Sequence, residues 1–102
     1  MNKIEWIKEY ASLHDESMLF LGTDEGQERF EDAIIGIAYR FGTQPVVAYD
    51  MDKVIQVFKE DMPDETDALE YFEFNVIGAW MGDGTPIFIE TVEITEPTHT
   101  EI

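Results

Sequence analysis

The chain has 102 residues and a formal net charge of −17 at pH 7. Its length suits one hydrophobic core, and its 44% apolar content is too high for a disordered acidic chain. The absence of cysteine excludes a disulfide framework, thiolate metal sites and cysteine nucleophiles. The N-terminus lacks signal-peptide features and no apolar run approaches the roughly 18 residues of a membrane span, so we expect a cytoplasmic protein.

The first predicted element is a helix near the N-terminus. Asn2 and Glu5 form a capping-box pattern, and Ile4, Ile7 and Ala11 recur at helical spacing. A short apolar run follows at residues 18–21. Its length is too small for periodicity to distinguish a strand from a packed loop.

The most regular periodicity in the chain predicts a second helix over residues 24–42. Asp24 is a good N-cap, and Gly42 stands where a left-handed residue commonly ends a helix. Gly36 inside it costs about 1 kcal/mol of helix propensity, and we expect it to permit close packing. The apolar face of this helix is predicted to be Phe30, Ala33, Ile34, Ile37, Ala38 and Phe41.

Strands and helices follow in turn along the rest of the chain. Residues 44–50 predict a strand, because β-branched and aromatic side chains follow Pro45. Asp50 is placed to cap a third helix that Pro63 ends, and Asp64 is placed to cap a fourth that runs to about residue 81. A turn at residues 82–84 leads into a second strand, residues 85–94.

The last two predicted helices are amphipathic. The apolar face of the third predicted helix is Met51, Val54, Ile55, Phe58 and Met62. The fourth has one face with Leu69, Phe72, Val76, Ala79 and Trp80, and a second face with Tyr71, Phe74, Ile77 and Met81.

These elements predict an α+β fold for a single small domain, residues 1–95. About four amphipathic helices pack on a short sheet of two or three strands, whose directions the sequence leaves open. An acidic C-terminal tail, residues 96–102, is expected to be frayed.

An Asp-x-Asp pair at the end of the first predicted strand is the main candidate for catalysis. Magnesium-dependent phosphoryl-transfer enzymes of the haloacid dehalogenase type present a nucleophile and an acid in this way. Asp50 and Asp52 have the required spacing, and Asp83 is a third weak candidate ligand. However, Lys53 and Val54 replace the residues that usually follow, and the chain is too short for that fold. A helix cap and a first-turn acid explain the pair better, so we predict no cofactor and no catalytic residue.

The acidic run from Glu60 to Glu73 is the main candidate for binding. It contains seven acids and no base, with aromatic residues interleaved. Carboxylates along a helix can approximate the phosphate rows of a duplex, which carries one charge per roughly 1.7 Å of axis. An exposed aromatic residue among them would anchor a partner. The candidate site is Glu60, Asp61, Asp64, Glu65, Asp67, Glu70, Tyr71, Glu73 and Phe74. In the alternative interpretation the aromatic residues are core and the acids only keep the surface hydrated.

Three segments, "AIIGIAYRFG", "VVAYDMDKVI" and "ALEYFEFNVIGAWMGDGTPIFI", give the chain a family resemblance. Over roughly residues 30–89 it resembles a group of small acidic proteins encoded by tailed bacteriophages and prophages. That group has no established activity, so the resemblance carries over no catalytic residues. It implies a phage accessory protein that acts in the cytoplasm of a bacterial host, where such proteins often inhibit host defence or nucleic-acid enzymes.

The leading functional hypothesis is therefore a non-enzymatic protein whose acidic surface binds a basic, nucleic-acid-binding host or phage protein, as an inhibitor or DNA mimic. A charge this negative disfavours direct contact with nucleic acid or anionic membranes. One alternative is metal-dependent phosphoryl transfer or hydrolysis at Asp50 and Asp52. Another is a structural or assembly role through self-association, as in a homodimer, through the aromatic second face of the fourth predicted helix.

Overall fold

The computed structural model describes residues 1–14, 16–22, 26–62, 64–78 and 82–92. Three α-helices are α1 (Lys3–Leu13), α2 (Met51–Asp61) and α3 (Glu65–Phe72), and α3 continues into a π-helical segment, Glu73–Ile77. A 3₁₀ helix spans Gln27–Ala33. The strands are β1 (Ile34–Ala38), β2 (Val46–Asp50) and β3 (Ile87–Ile89). The fold is α+β, with the helices packed on a three-stranded sheet, as the sequence predicts.

The sheet has the order β1-β2-β3 and mixes two strand directions. β1 and β2 form an antiparallel hairpin, while β2 and β3 are parallel. The connection between β2 and β3 contains α2 and α3, because parallel neighbours need a long crossover. The acidic run from Glu60 to Glu73 lies within this crossover.

The core lies between the helices and one face of the sheet. Tyr49, Phe72 and Val54 are almost completely buried there, and Phe88 of β3 stacks on Tyr49 and meets Phe72 edge-on. Ile4 and Ile7 attach α1 to the same cluster. The core cluster is Ile4, Ile7, Met18, Phe30, Ala33, Ile34, Val47, Tyr49, Val54 and Phe72.

The predicted second helix is wrong over its C-terminal half. Residues 34–38 form β1 and pair with β2, and only Gln27–Ala33 is helical. The segment IIGIA is rich in β-branched side chains and contains a glycine, both of which favour a strand over a helix. Gly36 does not permit close packing, since a Cβ there would meet no atom within 4 Å. Gly42 does have a left-handed φ of +84°, in the turn between β1 and β2; the predicted cap Asp24 lies outside the described residues.

Other predictions need smaller corrections. The capping box of Asn2 and Glu5 is present at α1. For residues 18–21, where the sequence left a strand and a packed loop open, the structure has an irregular packed segment. Leu69 was expected in the core but is half-exposed, because α3 turns Ala68 and Phe72 inward instead. β3 covers only Ile87–Ile89 of the predicted second strand. Predictions for Pro63, Ala79, Trp80, Met81 and residues 93–102 lie outside the described residues.

Candidate protein-binding surface

The binding site predicted from the sequence lies on the end of α2, on the connection that follows it, and on α3. All seven acids between Glu60 and Glu73 are exposed. We call these acids, together with Tyr71 and Phe74, the acidic surface. It is built by two consecutive helices, so its spacing is fixed by regular backbone rather than by a loop.

Each of these two helices begins with an aspartate cap. The Asp50 carboxylate accepts a hydrogen bond from the Lys53 backbone N–H at 3.2 Å, and the Asp64 carboxylate accepts one from Thr66 N–H at 2.8 Å. Such caps satisfy backbone donors that have no partner within the helix. Asp64 therefore sets where α3 starts and with it the position of every acid that follows.

Both ends of α3 carry acids, but only the acids of its first turn stabilise the helix. Glu65 and Asp67 lie at the positive end of the helix dipole, which stabilises them. Glu70 and Glu73 lie about the last turn of α3, which has no basic residue, and they gain nothing from that dipole. Helix stability alone thus accounts for the first two acids and leaves Glu70 and Glu73 unexplained.

Two bases neutralise part of the acidic surface. Arg29, on the 3₁₀ helix, donates to Asp61 at 3.0 Å and to Glu60 at 3.3 Å. These bonds raise the pKa of Arg29 above its ordinary value, with the bond to Asp61 as the largest cause. Lys59 lies 3.8 Å from Glu65. Among the described residues no ion pair reaches Asp67, Glu70 or Glu73, so the negative potential is concentrated on the far part of α3.

The two aromatic side chains of the acidic surface differ in environment. Tyr71 is 43% exposed and rests edge-on against Phe58 of α2, with ring centroids 5.1 Å apart. Phe74 is 77% exposed. Their helical neighbours Leu69 and Ile77 are also exposed. An apolar patch surrounded by carboxylates has the arrangement of a protein interface, with anchors at the centre and charges around them.

The π-helical segment accounts for part of this exposure. One extra residue per turn rotates the side chains that follow relative to an α-helix. In the segment EFNVI none of the five residues is buried. π-helical turns are rare and occur frequently at functional sites. The sequence shows no signal for this turn, although the helical wheel places Ile77 on the second face of the helix with Tyr71 and Phe74.

The Asp-x-Asp pair has a different position and role from the acidic surface. Asp50 caps α2, and Asp52 is exposed in its first turn. Asp83 lies before β3, and since β2 and β3 are parallel it lies toward the start of β2, opposite the end that carries Asp50. Within the described ranges, no group of three His, Cys, Asp or Glu side chains is arranged to hold a metal ion. The geometry assigns Asp50 to helix capping.

A cavity that sequence reasoning missed lies behind Tyr71. Its volume is about 390 Å³ and it separates α2 and the π-helical segment from β3. Aromatic rings dominate its lining, including Phe30 and Phe58, which meet edge-on. The side chains that line it come from positions more than fifty residues apart in the sequence, so no local sequence pattern predicts the cavity. The aromatic residues that line it are Phe20, Phe30, Phe58, Tyr71 and Phe88.

The comparisons with known proteins add no family to this description. No protein-family model matches the chain, and searches of curated proteins and of solved structures give no match either. Of the helices in the described part of the chain, none has the length and apolar character needed to cross a membrane.

Proposed function

We propose that this chain is a phage-type accessory protein that binds a basic protein in the bacterial cytoplasm through its acidic surface. The single observation that carries the proposal is the exposed Phe74, which lies among acids that no base within the described part of the chain neutralises. Asp67, Glu70 and Glu73 supply charge without ion pairs among the described residues, and Phe74 supplies an apolar anchor. Charge alone would only increase solubility, whereas an anchor within it provides for a specific contact.

The partner's chemistry follows from that of the surface. Carboxylates in a row along α3 complement Lys and Arg side chains, which proteins use to bind phosphates. An exposed phenyl ring complements an Arg guanidinium or an aromatic residue of the same basic site. The expected partner is therefore a nucleic-acid-binding protein, and occupation of its basic site would inhibit nucleic-acid binding.

Capture from bacterial lysate tests this proposal. The immobilised protein is exposed to lysate at about 50 mM NaCl and eluted with a gradient to about 500 mM, a range over which exposed charges become strongly screened. We expect basic nucleic-acid-binding proteins to elute, and Phe74→Ala to reduce their recovery. If Phe74→Ala recovers the same proteins as the wild type, Phe74 is not an anchor for the partner. If the wild type recovers no basic protein, the proposed function is overturned.

A further inference from the structure

The sheet has a second face, directed away from the core. Side chains alternate between the two faces of a strand, and Val47 and Tyr49 point into the core. The register aligns Gly36, Ala48 and Ile87 in one row on the opposite side. Ala48 is buried but does not belong to the core cluster. We call this set the outer sheet face: Gly36, Ala38, Val46, Ala48, Ile87 and Ile89.

The outer sheet face is apolar and open. Ile87 is 42% exposed and Ile89 37%, and there is open space above Gly36. By the same alternation Asp50 lies on this side of β2, opposite Ile89, and its carboxylate caps α2 at the end of the face. The other six residues are uncharged, although 28% of the chain is Asp, Glu, Lys or Arg. A parallel strand pair is normally covered on both faces, because its crossover helices lie there. Here the crossover covers only the core face of β2 and β3.

Opposite charges stand at one border of this face. Arg40 and Asp83 both line a groove of about 460 Å³ that also contacts Val46 and Ile87. Within the described part of the chain neither of the two takes part in an ion pair. A two-fold axis brings the same border of two copies together. Arg40 of one copy can then meet Asp83 of the other, so the border is complementary to itself.

The available area suits a reversible dimer. Phe41 is fully exposed in the turn that follows β1. Tyr39 lines the groove and is two-thirds exposed, although its hydroxyl is held by the Tyr10 hydroxyl of α1 at 2.6 Å. An aromatic side chain buries about 150–250 Å². With Ile87 and Ile89, two copies would cover a total on the order of 1,000 Å², near the lower limit of specific interfaces.

We propose that the outer sheet face is the contact between two copies of this chain. This contact is separate from the acidic surface and does not depend on the proposed function. Since each copy carries a charge of −17, added salt screens the repulsion between them and strengthens the dimer. Binding of a basic partner to the acidic surface has the opposite dependence on salt.

Sedimentation equilibrium over about 10–500 µM protein, at about 50 and 500 mM NaCl, tests the dimer. We expect the dissociation constant of the dimer to fall at least about threefold with salt. Ile87→Gln should weaken it about tenfold or more, because a polar amide replaces an apolar contact. The matched control is Ile77→Gln, an isoleucine of similar exposure on the π-helical segment, which should have no effect.

Exchange of the charges at Arg40 and Asp83 tests whether these two residues meet across the dimer. Arg40→Glu alone and Asp83→Arg alone should each weaken self-association, and an equimolar mixture of the two variants should form a heterodimer. A wild-type monomer at every concentration and salt would overturn the proposal. Loss of the dimer in Ile77→Gln with retention in Ile87→Gln would also overturn it, and would move the contact to the outer side of α3.

Discussion

The acidic surface and the outer sheet face are the two unusual surfaces of this molecule, and they differ in how charge is distributed. The first has seven acids within fourteen residues and a phenyl ring among them. The second is formed by three strands, and its one charged residue is Asp50, whose carboxylate caps α2 at one end of the face. A protein that needed only solubility would spread its acids over both. The separation indicates two different contacts, one that attracts basic partners and one where repulsion between copies is least.

The largest expected effect comes from two phenylalanines two residues apart on this helical region. Phe72 is buried against Phe88, so Phe72→Ala should lower the free energy of unfolding by about 3–5 kcal/mol. Phe74 is exposed, so Phe74→Ala should change it by less than about 0.5 kcal/mol. Urea unfolding monitored by circular dichroism measures both. A Phe74→Ala loss as large as that of Phe72→Ala would show that this ring is core and not an anchor.

The core side of the sheet contains a tyrosine whose pKa differs between the folded and the unfolded chain. Burial raises the pKa of Tyr49 to about 12, while the unfolded value is near 10. The unfolded chain therefore loses this proton first, and the stabilising contribution is complete below pH 10 and decreases as the pH rises toward 12. The decrease should reach about 2–3 kcal/mol. Unfolding measured at pH 9, 10 and 11 checks the slope.

Tyr49→Phe is the control for that titration. It removes the hydroxyl that accepts from Leu21 N–H at 2.9 Å, so it should be less stable at pH 8. Its free energy of unfolding should fall less steeply above pH 10 than that of the wild type. Equal slopes for the two proteins would assign the alkaline loss to other groups.

Loss of the N-cap of α2 should have a smaller effect, and the same variants test the hypothesis of a metal-dependent active site at Asp50. Asp50→Ala should cost about 1 kcal/mol, because the Lys53 N–H loses its partner. Asp50→Asn should cost only a few tenths, since asparagine caps equally well. Mg²⁺ at constant ionic strength should affect all three unfolding curves equally. Stabilisation of the wild type by Mg²⁺ that Asp50→Asn abolishes would restore the phosphoryl-transfer hypothesis.

The smallest effect concerns the repulsion within the acidic surface. Replacement of Glu70 and Glu73 by glutamine should raise the free energy of unfolding by a few tenths of a kcal/mol at low salt, through relief of like-charge repulsion. The gain should disappear at about 500 mM NaCl. A loss of stability would mean that these carboxylates have partners that hold the fold together.

The sequence predicted those parts of the fold that depend on local signals. Asp50 and Asp64 cap α2 and α3 as expected, because a cap needs only the residues of one turn. β1 was predicted as a helix, because IIGIA fits both a helical and a strand pattern at that length. Its pairing with β2 decides between them, and that partner lies outside any local window.

The candidate site was predictable in its charge but not in its shape. The acids of α3 are visible in the sequence, yet which aromatic residue is exposed depends on how α3 packs against α2. Phe72 and Phe74 lie on nearly opposite sides of the helix, and only the contact of Phe72 with Phe88 shows which one is inside. The outer sheet face could not be predicted, because it contains residues from all three strands.

The central claim is that the acidic surface, and not the total charge, binds a basic partner. Two triple variants with the same net charge distinguish the effect of the acidic surface from that of the total charge. The first is Asp67→Asn/Glu70→Gln/Glu73→Gln on the acidic surface, and the second is Glu9→Gln/Asp32→Asn/Glu90→Gln elsewhere on the exposed surface. Affinity for a basic protein recovered from lysate is measured by calorimetry at about 100 mM NaCl. We predict at least a tenfold loss for the first variant and less than threefold for the second. Equal losses for the two would contradict the claim.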